Sequence, residues 1–167
     1  MAGDLATFFP YITPVGHVTI ASDGASITEI AFGKQVLSGT EKPTELTNRA
    51  ANQIQEYLAG KRKRFDLPLD PHGTPFQRRV WNALAEIPYG ETRSYRQIAE
   101  AIGNPEAQRA VGSANNKNPL PIVIPCHRVI GANGKPVGYG GGLKTKEFLL
   151  DLERKACTQN DEDEPTR

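Results

Sequence analysis

Apolar residues recur along this chain with two periods. Residues 15–21 (VGHVTIA) and 27–32 (ITEIAF) are short runs rich in β-branched residues. They read as two strands joined near the turn signal Ser22-Asp23-Gly24. Leu46, Ala50, Ile54 and Leu58 then stand four apart, which predicts an amphipathic helix over 45–59 that stops before Gly60. Phe65, Leu67 and Leu69 alternate as in a strand. Between helix and strand, the run Lys61–Arg64 suits a phosphate contact and equally a solvated connection. Residues 69–73 (LDPHG) read as a linker, and no internal repeat is visible.

The second half is helical, then loop-rich. Thr74-Pro75-Phe76-Gln77 has the form of a capping box with proline at the first helical position, and Phe76, Val80 and Leu84 share one face. Pro88-Tyr89-Gly90 breaks the chain. Ser94-Tyr95-Arg96-Gln97 opens a second helix through Ile98 and Ile102, which Gly103 ends. Asn104-Pro105 starts a third helix through about Asn115, so the pair predicts a helix-turn-helix. On that third helix Ala107, Ala110, Val111 and Ala114 form one stripe, and Arg109 points away from it among Gly112, Ser113 and Asn116. One long cation among small residues fits a DNA-facing helix and also a plainly solvated arginine. A last helix, about Lys144 to Ala156, has the apolar arc Phe148, Leu149, Leu152 and Ala156.

Composition narrows the class. With 167 residues the chain can bury a core without disulfides, and its two cysteines, Cys126 and Cys157, make neither a disulfide framework nor a four-thiolate zinc site. A reducing, cytoplasmic setting is the expectation. No apolar run approaches the ~20 residues needed to span a bilayer. The opening MAGDLATFFPYITP lacks a basic stretch, so no signal peptide is expected. Net charge is +1 but uneven: residues 71–157 carry 12 Lys/Arg against 7 Asp/Glu, and 158–167 carry 1 against 4. A basic block before an acidic tail suits a polyanionic partner and also a solvated surface.

The candidate chemistry lies in residues 119–131, PLPIVIPCHRVIG. Ile122-Val123-Ile124 reads as a strand-like run ending at Pro125, which delivers Cys126 and His127. A thiol becomes a nucleophile when a base takes its proton. Neighbouring residues of a strand point to opposite faces, so the chain must turn here or a water must bridge the pair. A buried, inert cysteine is the plain alternative. Glu153 sits about 40° from Leu149, inside the apolar arc of the last helix, and a carboxylate there needs a partner. Pairing with Lys146 or Arg128 satisfies it; so does a Cys126–His127–Glu153 relay in which the acid orients the imidazole. The glycine-rich segment 137–143 lacks the lysine and hydroxyl of a P-loop.

Pro125-Cys126-His127-Arg128-Val129, followed by Tyr139-Gly-Gly-Gly-Leu143, resembles the signature of the O6-alkylguanine-DNA alkyltransferases. Pro88–Thr92, Ser94-Tyr95, Arg109–Gly112, Ala114-Asn115 and Asn118-Pro119 are similar in order and spacing. The resemblance is dense from about 73 to 153; the N-terminal half fits in layout. It implies an α/β N-terminal domain of ribonuclease-H-like layout (1–72) and a mainly α C-terminal domain with a winged-helix-like helix-turn-helix (73–157). The acidic stretch 158–167 reads as a disordered tail. The resemblance implies that Cys126 accepts the alkyl group from O6-alkylguanine, and from O4-alkylthymine, in a single turnover. His127 would be its base through a water, Glu153 would orient His127, and Asn118 would brace the site. Tyr95 would rotate the 3′ phosphate and serve the departing guanine, and Arg109 would fill the gap left by the flipped nucleotide. Arg96, Asn104, Gly112 and Ser113 would join them in contacting DNA, with the helix-turn-helix in the minor groove. Pro121, Val129, Tyr139 and Gly140 would line the base pocket.

Two departures bear on which alkyl groups fit: Gly140 stands where relatives often have serine, and Asn115 where they often have an apolar residue. No cofactor is implied. With no cysteine and only His17 and His72 in the N-terminal half, no required metal is expected there. The resemblance implies a monomer in the absence of DNA. The rival readings are a silent alkyl-DNA binder, a helix-turn-helix regulator and a cysteine hydrolase. Cys126 argues against the first, chain length against the second, and the adjacent base with its helix-turn-helix against the third.

Overall fold

The computed structural model describes residues 5–131, 139 and 141–163, with side chains through 157. Contacts divide the chain into two units: residues up to Thr74 together with Asn118–Val123, and Pro75–Lys117 together with Ile124 onward.

The first unit is a four-stranded sheet with one helix. β1 (Thr7–Thr13), β2 (Gly16–Ser22), β3 (Ile27–Phe32) and β4 (Thr40–Glu41) lie in the order β3-β2-β1-β4, with β1–β2 and β2–β3 antiparallel and β1–β4 parallel. The strands expected at 15–21 and 27–32 are Gly16–Ser22 and Ile27–Phe32; β1 has no clear sequence signal because Pro10 interrupts its pattern. β4 pairs only with Thr7 and Phe8. The Phe8 carbonyl accepts from Lys42 N on that side, so Pro10, two residues on, turns its missing N–H to an unladdered edge. α1 (Glu45–Leu58) starts at a capping box between Thr44 and Thr47 and buries Ala50, Ala51, Ile54, Tyr57 and Leu58. Val18, Ile20, Ile27 and Ile30 supply the sheet's part of this core.

The 65–69 segment is not a strand. Only Leu69 bridges to Ile27, through Ile27 N–H to Pro68 O and Asp70 N–H to Ile27 O. Pro68 and Pro71 leave the segment too few donors for a ladder. The edge of β3 also takes Pro119, whose carbonyl accepts from Ile30 N at 2.8 Å, so 118–123 returns to this unit. A contiguous division at 72/73 does not capture that return.

The second unit holds α2 (Pro75–Ala85), β5 (Arg93–Ser94), α3 (Tyr95–Ala101), α4 (Gln108–Asn116), β6 (Val129–Ile130) and α5 (Leu143–Asp163). β5 and β6 pair in parallel. Ser94 and Gln97 close the capping box read from the sequence. α3 ends in a Schellman-type turn: Gly103 has φ +79, Gly103 N–H bonds Glu100 O, and Asn104 N–H bonds Ala99 O. α4 starts at Gln108, later than Asn104, because Asn104–Ala107 closes a separate turn through Ala107 N–H to Asn104 O. Ile122–Ile124 is a turn, not a strand, and Ile122 has φ +73, a strained conformation for a β-branched residue. Prolines at 121 and 125 on either side restrict the run.

α5 runs past Ala156 to Asp163, into the stretch read as disordered tail; no glycine or proline follows Leu143 until Pro165. No helix among the described residues is long and apolar enough to cross a membrane.

Candidate active site

The reactive segment is shaped by Pro125. Its φ of −80° and ψ of 64°, with Cys126 N–H bonded to Ile124 O at 2.8 Å, make an inverse γ-turn. A 3-10 turn over Cys126–Arg128 follows, closed by Arg128 N–H to Pro125 O at 3.0 Å. The expected turn at the Cys-His pair is therefore built from two consecutive tight turns. Cys126, His127 and Arg128 are all buried.

α5 brings Glu153 to this turn. Its buried positions are Lys146, Leu149, Leu150 and Glu153, the i, i+3, i+4, i+7 spacing of one face. Phe148, assigned to the arc from the sequence, is 40% exposed. The true face is rotated so that an acid and a base sit at its centre.

Glu153 Oε2 lies 2.7 Å from His127 Nε2. Arg128 grips the same carboxylate with two hydrogen bonds, Nε to Oε1 and Nη2 to Oε2, both 2.9 Å. Gly90 N–H adds a bond to Oε1 at 3.2 Å. The His127 contact and the Arg128 pairing of Glu153, alternatives in the sequence, thus coexist. Arg128 is held in turn by Ile87 O at 2.7 Å and lies 5.6 Å from the Tyr89 ring centre.

Burial alone would push the Glu153 carboxyl up, but hydrogen bonds from His127 and Arg128 outweigh it and hold the pKa at about 2. Glu153 is thus an anion. Burial pushes the His127 pKa down against the pull of Glu153, so the imidazole is neutral near pH 7. An ionised carboxylate on Nε2 selects the tautomer with the proton there and the lone pair on Nδ1. Lys146 is also buried; its Nζ donates to Val129 O at 2.5 Å, and burial brings its pKa down to about 8 against the influence of Cys126. Tyr95 and Tyr139 are electrostatic neighbours of Cys126, and burial raises both phenols, that of Tyr139 well above the ordinary value.

Cys126, His127, Glu153, Tyr95, Tyr139 and Val129 therefore gather around one turn. Gly112 on α4 lies against the Tyr95 ring; a Cβ there would meet it at 3.7 Å. Arg109 and Ser113 are exposed on α4, while Val111, Ala114 and Asn115 are buried. Ala110, read as part of the buried stripe, is exposed. Arg96 is exposed and paired with Glu100 at 3.0 Å, and Asn104 is exposed just beyond α3. Asn118 and Pro121 are buried in the segment belonging to the first unit, where Asn118 Oδ1 accepts from Leu120 N at 2.9 Å. Gly140 lies outside the described residues. From the sequence, Lys146 has no place in the site beyond an optional partner for Glu153. The signal was present: 146 and 153 are two turns apart on one helix face. The Gly90 N–H contact had no sequence signal.

Residues 75–155 match the family described as "6-O-methylguanine DNA methyltransferase, DNA binding domain", and residues 10–71 its "ribonuclease-like domain". A methylated-DNA–protein-cysteine methyltransferase of Methanosarcina acetivorans is 51% identical over 146 residues, covering 84% of this chain and 94% of the relative. The chain belongs to the methylated-DNA–protein-cysteine methyltransferase family. The constitutive Bacillus subtilis member is 50% identical over 151 residues, covering 85% of this chain and 92% of that one. The crystal structure of Mycobacterium tuberculosis OGT in complex with DNA superposes with a TM-score of 0.85 at 47% identity, covering 90% of this chain and 94% of that chain. The family's activity, repair of DNA by direct alkyl transfer to a protein cysteine, is this chain's activity, and its fold is the family's: a ribonuclease-like unit and a helix-turn-helix DNA-binding unit.

Proposed function

We propose that Cys126 is the acceptor and that O6-alkylguanine in duplex DNA, with O4-alkylthymine as a second substrate, is the donor. The observation that carries this is the 2.7 Å contact of Glu153 with His127 Nε2, which leaves Nδ1 as a base in the residue next to a buried thiol. His127 takes the Cys126 proton through a bridging water. The thiolate attacks the alkyl carbon, an S–C bond forms, and the C–O bond breaks with its electron pair going to the guanine. The Tyr95 phenol supplies a hydrogen bond to the departing base. The thioether formed has no leaving group, so each chain reacts once. The guanine anion takes up one proton at N1, the equivalent of the one His127 removed from Cys126, so atoms and charge balance without a cofactor.

The base must leave the stack, which costs a few kcal/mol. Arg109, exposed on α4 among small residues, is the side chain proposed to fill the gap, with α4 in the minor groove. Tyr95 turns the 3′ phosphate. Arg96, Asn104, Gly112 and Ser113 complete the DNA contacts. Pro121, Val129, Tyr139 and Gly140 line the base pocket, and Asn118 braces it. The protein acts as a monomer before DNA binds, and the cytoplasm suits its two free thiols.

The test is a titration of duplex carrying O6-methylguanine. One equivalent of protein restores one equivalent of guanine, Cys126→Ser restores none, and Cys126→Ser keeps its affinity for the duplex. Repair by Cys126→Ser, or several guanines restored per chain, overturns the reading.

A further inference from the structure

We propose that the first unit carries a binding site for a phosphate dianion, free or as a monoester, between the β1–β2 face and the N-terminus of α1. A cavity of about 420 Å³ opens there. Thr7 and Ser22, directly paired across β1 and β2, are 4% and 2% exposed and line it. The Thr7 hydroxyl is buried without a hydrogen-bond partner among the described residues. A hydroxyl in that state destabilises the fold unless something in the cavity satisfies it. Ser22 Oγ accepts from Gly24 N at 3.0 Å, which leaves its own hydrogen to donate.

The opposite wall is the start of α1. Thr44 Oγ1 takes the Thr47 N–H, so the cap leaves the N–H groups of Glu45 and Leu46 at the cavity, on the positive end of a 14-residue helix. Two cations complete the rim. Lys42 is fixed by its backbone N–H to Phe8 O at 3.0 Å, and its ammonium has no ion pair among the described residues. Arg49 also lines the cavity and shares its charge with Asp66 at 3.2 Å. Glu45, exposed, is the one carboxylate among the described lining residues.

Two hydroxyls, two backbone N–H groups and two cations form a set of donors around a concave space. That set recognises a tetrahedral oxyanion with several acceptor oxygens and favours a dianion over a monoanion. The cavity exceeds a bare phosphate, and Leu5 and Leu46 add apolar wall for the organic part of an ester. None of these residues belongs to the alkyl-transfer site, so the proposal stands apart from that reading.

The experiment is an amide NMR titration of the full chain, at constant ionic strength, with inorganic phosphate, phenyl phosphate and dimethyl phosphate. Saturable shifts at Glu45 and Leu46 are expected with the first two. Tighter binding of phenyl phosphate identifies an organic monoester as the source, and equal binding identifies free phosphate. Thr7→Val and Lys42→Gln each weaken binding by about tenfold, the loss expected for one hydrogen bond to a charged group. Glu45→Gln strengthens it. All three variants keep the wild-type melting temperature or exceed it, and all repair DNA at the wild-type rate. Absence of saturable shifts, equal affinity for dimethyl phosphate, or wild-type binding by both Thr7→Val and Lys42→Gln overturns the proposal.

Discussion

Glu153 and Arg128 form a two-pronged ion pair, 2.9 Å on each side, and His127 hangs from the same carboxylate. The imidazole is thus oriented by an anion that is itself clamped. The clamp serves geometry as well as charge, because it denies Glu153 any rotation that would release His127.

Glu153→Gln tests that clamp. It leaves Arg128 buried without its counter-charge, which costs roughly 3–5 kcal/mol. It also loses the anion that fixes the His127 tautomer, so alkyl transfer slows by about 10²-fold or more. Melting and single-turnover rate measurements on the same sample separate the two effects. A wild-type rate in the folded fraction removes Glu153 from the mechanism.

Acid should unfold the protein in two stages. Burial holds the His127 pKa below its ordinary 6.5, so the unfolded state gains protons first and stability falls as pH drops through 6.5. Glu153 is held at about 2 against an ordinary 4.5, so its contribution is complete above 4.5 and is lost between 4.5 and 2. That contribution is on the order of 3 kcal/mol. Denaturant melts across pH check this: the lower step disappears in Glu153→Gln and persists in Arg109→Ala.

Lys146 gives an alkaline counterpart. With a pKa of about 8, its ammonium is lost within reach of Cys126 as pH rises. A cation beside a thiolate stabilises it, so the transfer rate declines above about pH 8. In Lys146→Met that decline is absent and the rate is lower at neutral pH. Single-turnover pH profiles of the two proteins make the comparison.

Gly90 is required where it stands. Its φ is +84, and an added Cβ would lie 2.4 Å from Cys157 Sγ. Gly90→Ala therefore costs at least about 1–2 kcal/mol from conformation alone, plus the clash, and pulls the Gly90 N–H from Glu153. Adding Cys157→Ala recovers the clash and not the conformational part. Full recovery in the double variant would refute the left-handed requirement.

Much of this was legible in the chain. Ser94 and Gln97 announced the start of α3, and the glycine at 103 its end, because caps are local chemistry. The pairing of Glu153 was legible because an acid at an apolar helix position demands a partner. What was hidden depends on non-local packing. β1 hides behind Pro10, harmless only because β4 is too short to pair there. The roll of α5 hid Lys146, since Phe148 is the more apolar residue yet the one left half in solvent. Asn118–Val123 belongs to the first unit, where the Pro119 carbonyl takes the Ile30 N–H, a pairing that no periodicity encodes.

Arg109 separates base flipping from chemistry. Arg109→Ala slows repair of O6-methylguanine in duplex DNA and nearly spares reaction of Cys126 with the free alkylated base, whereas Tyr95→Phe slows both. Equal slowing of both reactions by Arg109→Ala assigns that arginine a structural role instead.

The central claim is that one thiol, Cys126, keeps the alkyl group. Peptide mass spectrometry after incubation with a molar excess of O6-methylguanine duplex reads this directly. One methyl per chain is expected, on the peptide containing Cys126, with Cys157 unmodified and no further repair after the first equivalent. A methyl on Cys157, or an unmodified Cys126 beside repaired DNA, contradicts it.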